Sequence, residues 1–288
     1  MKKILFILLC LLLLNISSVT AGDDSVSIHF IDVKEGEATL IITPQKNTIL
    51  IDTGNLITGY TVLSFLKKHS ISSIDHLILT HPHPDHMGGA FLLLQAIEVK
   101  HVYDNAQNIA KEIYDQPLYR WYDTLVRKRK NYSPLFRGDT IDIDNVRLSI
   151  IWPPAASARL KGFNQRSLAL FIRYNSFSLL HTGDITQSIE NDLLNLKTLL
   201  NATVLKVGHH GHNDASSPAF LTAIMPRASI ISIDKNNVNG YPSPETIKRL
   251  EELNSLVYQT ALHGTISLVI NEDGTFITQT EKEPYSIT

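Results

Sequence analysis

The stretch LTHPHPDHMGG, residues 79–89, carries three histidines and one aspartate within six positions. Only 12 histidines occur in the 288 residues, so this cluster is a strong local concentration. The apolar run Ile74–Leu79 before it predicts a buried strand that ends at the cluster. Where a chain leaves a sheet, alternate residues such as His81 and His83 can converge on one ion, and Asp85 and His86 in the next turn can face a second. The stretch therefore predicts a metal site.

Later segments offer candidates for the ligands that this cluster cannot supply. Asp184, in LLHTGDI, follows a predicted strand and precedes a predicted helix. A carboxylate there can bridge two cations, as in two-metal hydrolases, or it can cap the helix. His209 and His210, in KVGHHG, stand between two glycines that permit close approach to a ligand. His212 and His263 are further candidates.

The ligand types indicate an open site. Imidazole and carboxylate suit zinc, manganese or iron, and a mixed site of this kind usually leaves a position for water. A closed structural zinc site favours cysteine, whereas the only cysteine of this chain is Cys10.

The hydrophobic pattern predicts an α/β fold built from two similar halves. Each half has strands followed by a helix: Ser27–Asp32, Ala38–Thr43, Thr48–Asp52 and helix Tyr60–His69, then Ser167–Tyr174, Phe177–His181 and helix Thr186–Leu194. Two such halves favour a four-layer α/β sandwich over a parallel doubly wound sheet. Two ordinary α/β domains are the alternative.

The N-terminus has the order of a signal peptide. Lys2 and Lys3 precede an apolar run, residues 4–14, and a small-residue site ends at Ala21. The run of eleven residues is shorter than the roughly 20 needed to span a bilayer. We therefore expect residues 1–21 to be removed, and residues 22–288 to form one domain in the periplasm or the medium without a stable membrane span. The mature chain has 24 basic and 28 acidic residues, a net charge of about −4, so no global field attracts polyanions.

A segment at about 105–138 differs in composition from the rest. It interleaves aromatic residues with a basic run, Arg127, Lys128, Arg129 and Lys130. Such a mixture is typical of a surface that follows a nucleic-acid strand. It is also typical of an amphipathic helical hairpin whose rings pack on the body and whose charges face water. The pattern alone favours this packed hairpin.

The motifs HPHPDH, LLHTGD and KVGHHG, preceded by FIDVKEGEATLIITPQKNTILIDTG, resemble the metallo-β-lactamase superfamily. VGHHG and NQRSLAL are similar to the soluble hydrolase domain of ComEC-type competence DNA-uptake proteins and to its freestanding secreted relatives. The resemblance implies an αββα four-layer sandwich, a centre of two divalent metal ions, zinc or manganese, and hydrolysis.

The same resemblance assigns roles to individual residues. It implies that the ligands are His81, His83, Asp85, His86, Asp184 and His210. It also makes Asp85, His209, Asn164 and Ser167 candidate catalytic residues that activate or orient a reacting group or protonate the leaving group. Related enzymes of this branch lack the additional ligand histidine that other superfamily members place between the first cluster and the bridging aspartate, and this chain has Asn164–Ser167 in that place.

Two departures from the family pattern concern the substrate. The family segment DVGQGDA is here DVKEGEA, which keeps an acid at Glu37, and the family Gly-His-Pro is here Gly-Tyr-Pro with Tyr241. We therefore expect the metal chemistry to be kept, with substrate contacts among Glu37, Arg127, Lys128, Arg129, Lys130, His212, Tyr241 and His263.

Three functions are compatible with these residues. The favoured one is a secreted phosphodiesterase with a phosphodiester substrate, DNA or RNA. The second is a small-ester hydrolase of the phosphorylcholine esterase, lactonase or lactamase type. The third is a non-catalytic extracellular domain that binds DNA or cell-wall polymer, which a complete ligand set argues against. The sequence identifies no protein partner.

Overall fold

The computed structural model describes residues 24–110, 116–156, 160 and 162–283. The predicted signal peptide, residues 1–21, lies outside these residues. Two mixed sheets form the centre of the described part. The first has eight strands: β1 (Val26–Phe30), β2 (Thr39–Ile42), β3 (Thr48–Ile51), β4 (Ser73–Ile78), β5 (Glu98–Asp104), β6 (Tyr132–Pro134), and, from the end of the chain, β14 (Ile266–Ile270) and β15 (Phe276–Thr280).

The second sheet has seven strands in the described part: β7 (Thr140–Ile143), β8 (Val146–Trp152), β9 (Ala169–Tyr174), β10 (Phe177–His181), β11 (Val204–Lys206), β12 (Ala228–Ile231) and β13 (Leu256–Gln259). The strand orders are β15-β14-β1-β2-β3-β4-β5-β6 and β13-β12-β11-β10-β9-β8-β7. Successive side chains of a strand point to opposite faces of the sheet, so apolar residues at alternate positions make one face apolar. In β8, for example, Val146, Leu148 and Ile150 turn inward and Arg147 is exposed.

The helices cover the outer faces of the sheets. They are α1 (Gly59–Lys68), α2 (Pro84–Met87), α3 (Ala90–Ala96), α4 (Pro117–Tyr122), α5 (Gln187–Asn195), α6 (Pro218–Ile224), α7 (Pro244–Glu252) and α8 (Thr260–His263). Within the described ranges, none of these helices is long and apolar enough to cross a membrane.

Three apolar clusters fill the spaces between the layers. Phe30 and Leu268 of the first sheet and Leu170 of the second belong to the cluster between the sheets. Val62 of α1 packs in the cluster outside the first sheet, and Leu193 of α5 in the cluster outside the second. The predicted four-layer α/β sandwich is confirmed, because the two sheets share one core instead of forming two separate α/β units.

The parallel strands bring the functional loops to one edge. Strands β3, β4 and β5 run parallel in the first sheet, and β10, β11, β12 and β13 run parallel in the second. Loops that follow parallel strands meet at the carboxyl edge of a sheet. The histidine cluster follows β4, Asp184 follows β10, and His209 and His210 follow β11.

One element prediction requires correction. The strand predicted to begin at Ser167 begins at Ala169, because Ser167 belongs to a loop that contacts the histidine cluster. The helical hairpin predicted at about 105–138 includes residues 111–115, which lie outside the described residues, so it stays a prediction. Helix α4 continues as one π-helical turn, Asp123–Arg127, and the chain then enters strand β6.

Candidate metal centre

Six of the predicted ligands converge between the two sheets. Their donor atoms form two groups, His81, His83 and Asp184 in one and Asp85, His86 and His210 in the other, and within each group these atoms lie within 4.8 Å of one another. His81 Nε2 lies 2.9 Å from His83 Nδ1. His210 Nε2 lies 3.2 Å from Asp85 Oδ2 and 3.3 Å from His86 Nε2.

Asp184 lies between the two groups. Its Oδ2 is 3.7 Å from His81 Nε2, 3.3 Å from His86 Nε2 and 3.7 Å from His210 Nε2. Its Oδ1 is buried without a hydrogen-bond donor in the described structure. Asp184 does not cap the following helix, because Thr186 occupies the N-cap position of α5. A buried carboxylate in this position is suited to join two cations.

Hydrogen bonds from Nδ1 fix the ring orientation of His81, His86 and His210. Thr80 Oγ1 donates to Asp52 Oδ2 (2.7 Å), so it accepts from His81 Nδ1 (3.0 Å). His86 Nδ1 donates to the same Asp52 oxygen (2.7 Å), and His210 Nδ1 donates to the carbonyl of Ser232 (2.8 Å). Each of these histidines therefore turns Nε2 toward the centre. Such outer partners are typical of metal-bound histidine, and the donor set fits divalent cations.

The electrostatics of the group also favour cations. Burial depresses the pKa of His81 well below its ordinary value, so its imidazole stays neutral. Burial acts in the same direction on His86, but the carboxylates Asp184, Asp85 and Asp52 outweigh it and raise the pKa of His86 well above 6.5. Burial would raise the pKa of Asp184, yet His86 and His210 hold it well below its usual range. Carboxylates in this cluster thus stay ionised and require positive charge.

Backbone conformation brings the loops together. Gly36 has φ +105°, and a Cβ there would lie 2.0 Å from the carbonyl oxygen of Asp85. Only glycine allows this approach. His209 and His210 both have left-handed φ values, 48° and 51°, which is uncommon for residues with a side chain and is associated with functional sites. The two residues are thereby directed to the site, His210 into the centre and His209 toward the cleft.

An open cleft of about 570 Å³ leads to the centre. His83, Asp85, Asp184, His209 and His210 lie on its wall. The rest of the lining is mostly neutral: Gly36, Asn55, Pro84, Ile233, Asn236, Asn237, Val238, Asn239 and Tyr241, with the acids Glu35 and Asp234. A substrate in this cleft reaches both donor groups.

His209 is held from both ring nitrogens. Its Nδ1 lies 2.8 Å from Asp214 Oδ1, and its Nε2 lies 3.1 Å from Asn164 Nδ2. Burial lowers the pKa of His209, but the hydrogen bond to Asp214 and the charge of Asp184 raise it above the ordinary value. His212 Nδ1 contacts the same Asp214 oxygen at 2.7 Å, and its ring lies 4.8 Å from that of Tyr241.

Some predicted site residues do not reach the cleft. Ser167 is buried and accepts a hydrogen bond from the backbone N–H of Asp184 (3.1 Å), so it supports the centre from behind. Glu37 is fully buried and paired with Lys206, so the expected substrate contact of Glu37 is wrong. His263 is also buried, and its Nδ1 lies 2.9 Å from the carbonyl of Gln259, away from the cleft.

The basic run lies outside the described cleft wall. Arg127 Nε donates to the buried carboxylate of Asp104 at 2.7 Å, so its charge is used in the interior. Residues Lys128, Arg129 and Lys130 lead to Asn131, whose amide donates to the carbonyl of Val99 (2.8 Å). None of residues 127–130 belongs to the described cleft wall. Arg127 is engaged by Asp104, so its expected contact with a substrate is wrong, whereas the contact expected of Lys128, Arg129 and Lys130 stays a prediction.

Several supporting residues were not predicted from the sequence. Asp52 follows strand β3 in the stretch LIDTG, and it orients both His86 and Thr80. Asp214 orients His209, and the ammonium of Lys206 forms an ion pair with the carboxylate of Glu37. The position of Asp52 directly after a buried strand is the kind of signal that identified Asp184. A lysine inside an apolar strand, such as Lys206, also indicates a buried partner.

Comparisons with known proteins agree with this geometry. The model of the metallo-beta-lactamase superfamily matches residues 32–234. The chain is 30% identical over 268 residues to ComE operon protein 3 of Bacillus subtilis, which covers 86% of this chain and 34% of that protein. It is 28% identical over 277 residues to Recombination protein 2 of Haemophilus influenzae, which covers 93% of this chain and 31% of that protein. The chain thus spans about a third of the length of these curated relatives.

Solved structures show the same fold. The metallo-beta-lactamase fold protein YhfI from Bacillus subtilis superimposes with a TM-score of 0.55 at 13% identity. The match covers 89% of this chain and 100% of that chain. The expected family resemblance is confirmed.

Proposed function

Because the chain belongs to the metallo-beta-lactamase superfamily and is a metal-dependent hydrolase, we propose that it is a dinuclear phosphodiesterase that acts on nucleic acid. The observation that carries this proposal is the pair of donor groups joined by Asp184 at the floor of an open cleft. Two such groups at one cleft are suited to hold two cations near both the attacking and the leaving oxygen of a displacement.

Two divalent ions, zinc or manganese, complete the proposed site. His81, His83 and Asp184 would hold one ion, and Asp85, His86, His210 and Asp184 the other. When bound, the ions would activate water near neutral pH and neutralise charge that develops on the phosphoryl oxygens. Imidazole and carboxylate donors accept either metal, so supply contributes to the choice.

His209 is suited to donate the proton that the leaving oxygen requires. Asp214 holds Nδ1, which leaves Nε2 to carry a proton toward the cleft. Asn164 Oδ1 is buried without a donor, and a rotated amide would place it on the protonated Nε2. Asn164 thus fits both states of His209, accepting when the ring is charged and donating when it is neutral.

Nucleic acid is the favoured substrate class because one relative is named a recombination protein and another, ComA of Neisseria gonorrhoeae, a competence protein. The cleft supports this class through neutral contacts. Its described lining includes Tyr241 and several asparagines, which suit bases and sugars, and no lysine or arginine. The basic run of residues 127–130 adds no support to the proposal, since none of these residues lies on the described cleft wall.

Location and chain organisation complete the proposal. Residues 1–21 would direct export and be removed, and residues 22–288 would act as one domain in the periplasm or the medium. The support for this part is the order of charged, apolar and small residues at the N-terminus.

A small-ester hydrolase is the second candidate. The absence of lysine and arginine from the described cleft lining favours it, since long polyanions are usually followed by several cations. A phosphorylcholine ester would use the same metal centre and contact only the neutral and acidic wall.

A substrate panel separates the candidates. The purified chain without residues 1–21 is reconstituted with zinc or with manganese and offered single-stranded DNA, double-stranded DNA, RNA, bis-p-nitrophenyl phosphate and p-nitrophenyl phosphorylcholine. We expect cleavage of a polynucleotide that a chelator abolishes. Turnover of the phosphorylcholine ester alone would replace the proposal with the second candidate. No turnover by a protein that has bound metal would favour a binding domain.

A further inference from the structure

We propose that the buried ion pair between Glu37 and Lys206 positions the two halves of the metal centre against each other. The inference rests on the proposed metal centre and does not depend on the substrate. Glu37 and Lys206 are positioning residues, since neither lies on the cleft wall.

The pair crosses from one sheet to the other in the interior. Both side chains have 0% relative exposure. Lys206 Nζ donates to Glu37 Oε2 at 2.6 Å, and Glu37 Oε1 lies 2.7 Å from His181 Nε2. Glu37 follows strand β1 of the first sheet, whereas Lys206 ends β11 and His181 ends β10 of the second. One carboxylate therefore meets two groups of the opposite sheet.

Glu37 is tied to the ligands of the first sheet through its backbone. Its N–H donates to the carbonyl of Asp85 (3.1 Å), and its carbonyl accepts from the N–H of Gly54 (2.7 Å). The neighbouring Thr53 N–H donates to the carbonyl of His86 (2.8 Å). A shift of Glu37 would thus move the loop that carries Asp85 and His86.

Lys206 is tied to the ligands of the second sheet in the same way. Its ammonium also donates to the carbonyl of Val207 (3.1 Å), three residues before His210. Its own carbonyl accepts from Thr182 Oγ1 (2.7 Å), two residues before Asp184. The ion pair thus connects the loops of four ligands, Asp85 and His86 on one side and Asp184 and His210 on the other.

Stability alone does not account for this pair. Removing two charges from water costs free energy that their attraction only partly returns, and well-packed apolar residues are often as stable or more stable. Burial would raise the pKa of Glu37, but Lys206 and His181 hold it below the ordinary range, so the carboxylate stays ionised. Buried charges of this kind are best attested where they fix a register, and the register here is that of two ligand sets on two sheets.

The test is metal binding by the double variant Glu37→Gln/Lys206→Met, which removes both charges together. Zinc and manganese binding is measured by equilibrium dialysis with elemental analysis, and thermal unfolding is measured with and without chelator. We expect the metal-free double variant to unfold within a few degrees of the wild type, while it binds at least one of the two ions about tenfold or more weakly. The control is Asp75→Asn/Lys100→Met, which removes a 2.7 Å ion pair at the opposite end of the first sheet and should bind both ions like the wild type.

A second variant covers the case in which the double variant does not fold. Glu37→Asp keeps both charges but shortens the side chain by one methylene, so it should lose the 2.6 Å contact and bind an ion more weakly. Unchanged affinity for both ions in the double variant, or in Glu37→Asp if the double variant is unfolded, overturns the positioning role. A wild type that binds no metal overturns the proposed centre together with this inference, whereas failure of the inference alone leaves that centre intact.

Discussion

Asp184 is the residue on which both donor groups depend. Its Oδ2 lies within 3.7 Å of a ring nitrogen from each group. Asn has the same shape, but it lacks the charge that holds a cation. We expect Asp184→Asn to lower kcat/KM for phosphodiesters at least about 100-fold and to reduce bound metal per chain, as measured by steady-state kinetics and elemental analysis.

The matched control for Asp184→Asn is Asp142→Asn. Asp142 is 52% exposed and pairs with Arg147 on the surface of the second sheet. It should keep wild-type activity and metal content. Wild-type turnover in Asp184→Asn would contradict the role of this carboxylate as a metal ligand.

His209 permits a second prediction because its proposed role depends on the leaving group. A p-nitrophenolate departs without a proton, whereas the hydroxyl of a nucleotide needs one. We expect His209→Gln to slow cleavage of an oligonucleotide by about 100-fold or more and to slow bis-p-nitrophenyl phosphate much less. Equal losses on both substrates would contradict proton donation by His209.

For single residues the sequence indicated the candidate ligands but not the residues that orient them. His81, His83, Asp85, His86 and Asp184 were candidates because they are polar residues that follow apolar strands, whereas the choice of His210 over His209 came from the family resemblance. Glu37 could not be placed correctly from its motif. Whether it faces a substrate or the interior depends on Lys206, 169 positions away in the chain, and a single sequence does not reveal that contact.

The composition of the segment formed by α4 and its π-helical turn did not distinguish a binding surface from interior packing. Its aromatic and basic residues predicted either a nucleic-acid surface or a packed helix, and packing accounts for the buried members. Tyr122 and Val126 belong to the cluster outside the first sheet. Asp104 collects donors from Tyr122 Oη (2.8 Å), Arg127 Nε (2.7 Å) and Tyr132 Oη (2.6 Å).

This network gives a prediction on stability. Arg127→Gln would leave the fully buried carboxylate of Asp104 without its cation, which costs about 3 kcal/mol in comparable cases. Urea denaturation should therefore show a lower free energy of unfolding. Lys128→Gln is the control, since Lys128 is 67% exposed and lies 3.8 Å from Asp123, and it should change the stability little. Equal stability of the two variants would contradict the structural role of Arg127.

For the whole molecule, the pattern of strands and helices was enough to predict the layers. Apolar alternation sets which face of a strand is buried, and two sheets with apolar inner faces pack together. The strand order was beyond this reasoning. The C-terminal strand β14 pairs with β1, and such a long-range pairing leaves no local signal.

The stability of the molecule should depend on pH through His29. This residue is 8% exposed, and burial together with the nearby His69 lowers its pKa from 6.5 to about 4. In the unfolded chain the pKa stays near 6.5, so the unfolded state takes up the proton first as the pH falls. Stability is thus lost between pH 6.5 and 4. We expect His29→Gln to lose less stability than the wild type over that range, by up to about 3 kcal/mol in urea titrations at pH 7 and pH 4. An identical pH dependence would show that His29 does not titrate this way.

The most direct test of a two-metal hydrolase is a titration of the metal-free protein. Zinc or manganese is added stepwise while hydrolysis of bis-p-nitrophenyl phosphate and of an oligonucleotide is followed. We expect phosphodiester turnover to rise until two ions are bound per chain, and we expect no such rise in Asp184→Asn. Full activity at one ion per chain, or activity that persists in the metal-free protein, would contradict a two-metal centre.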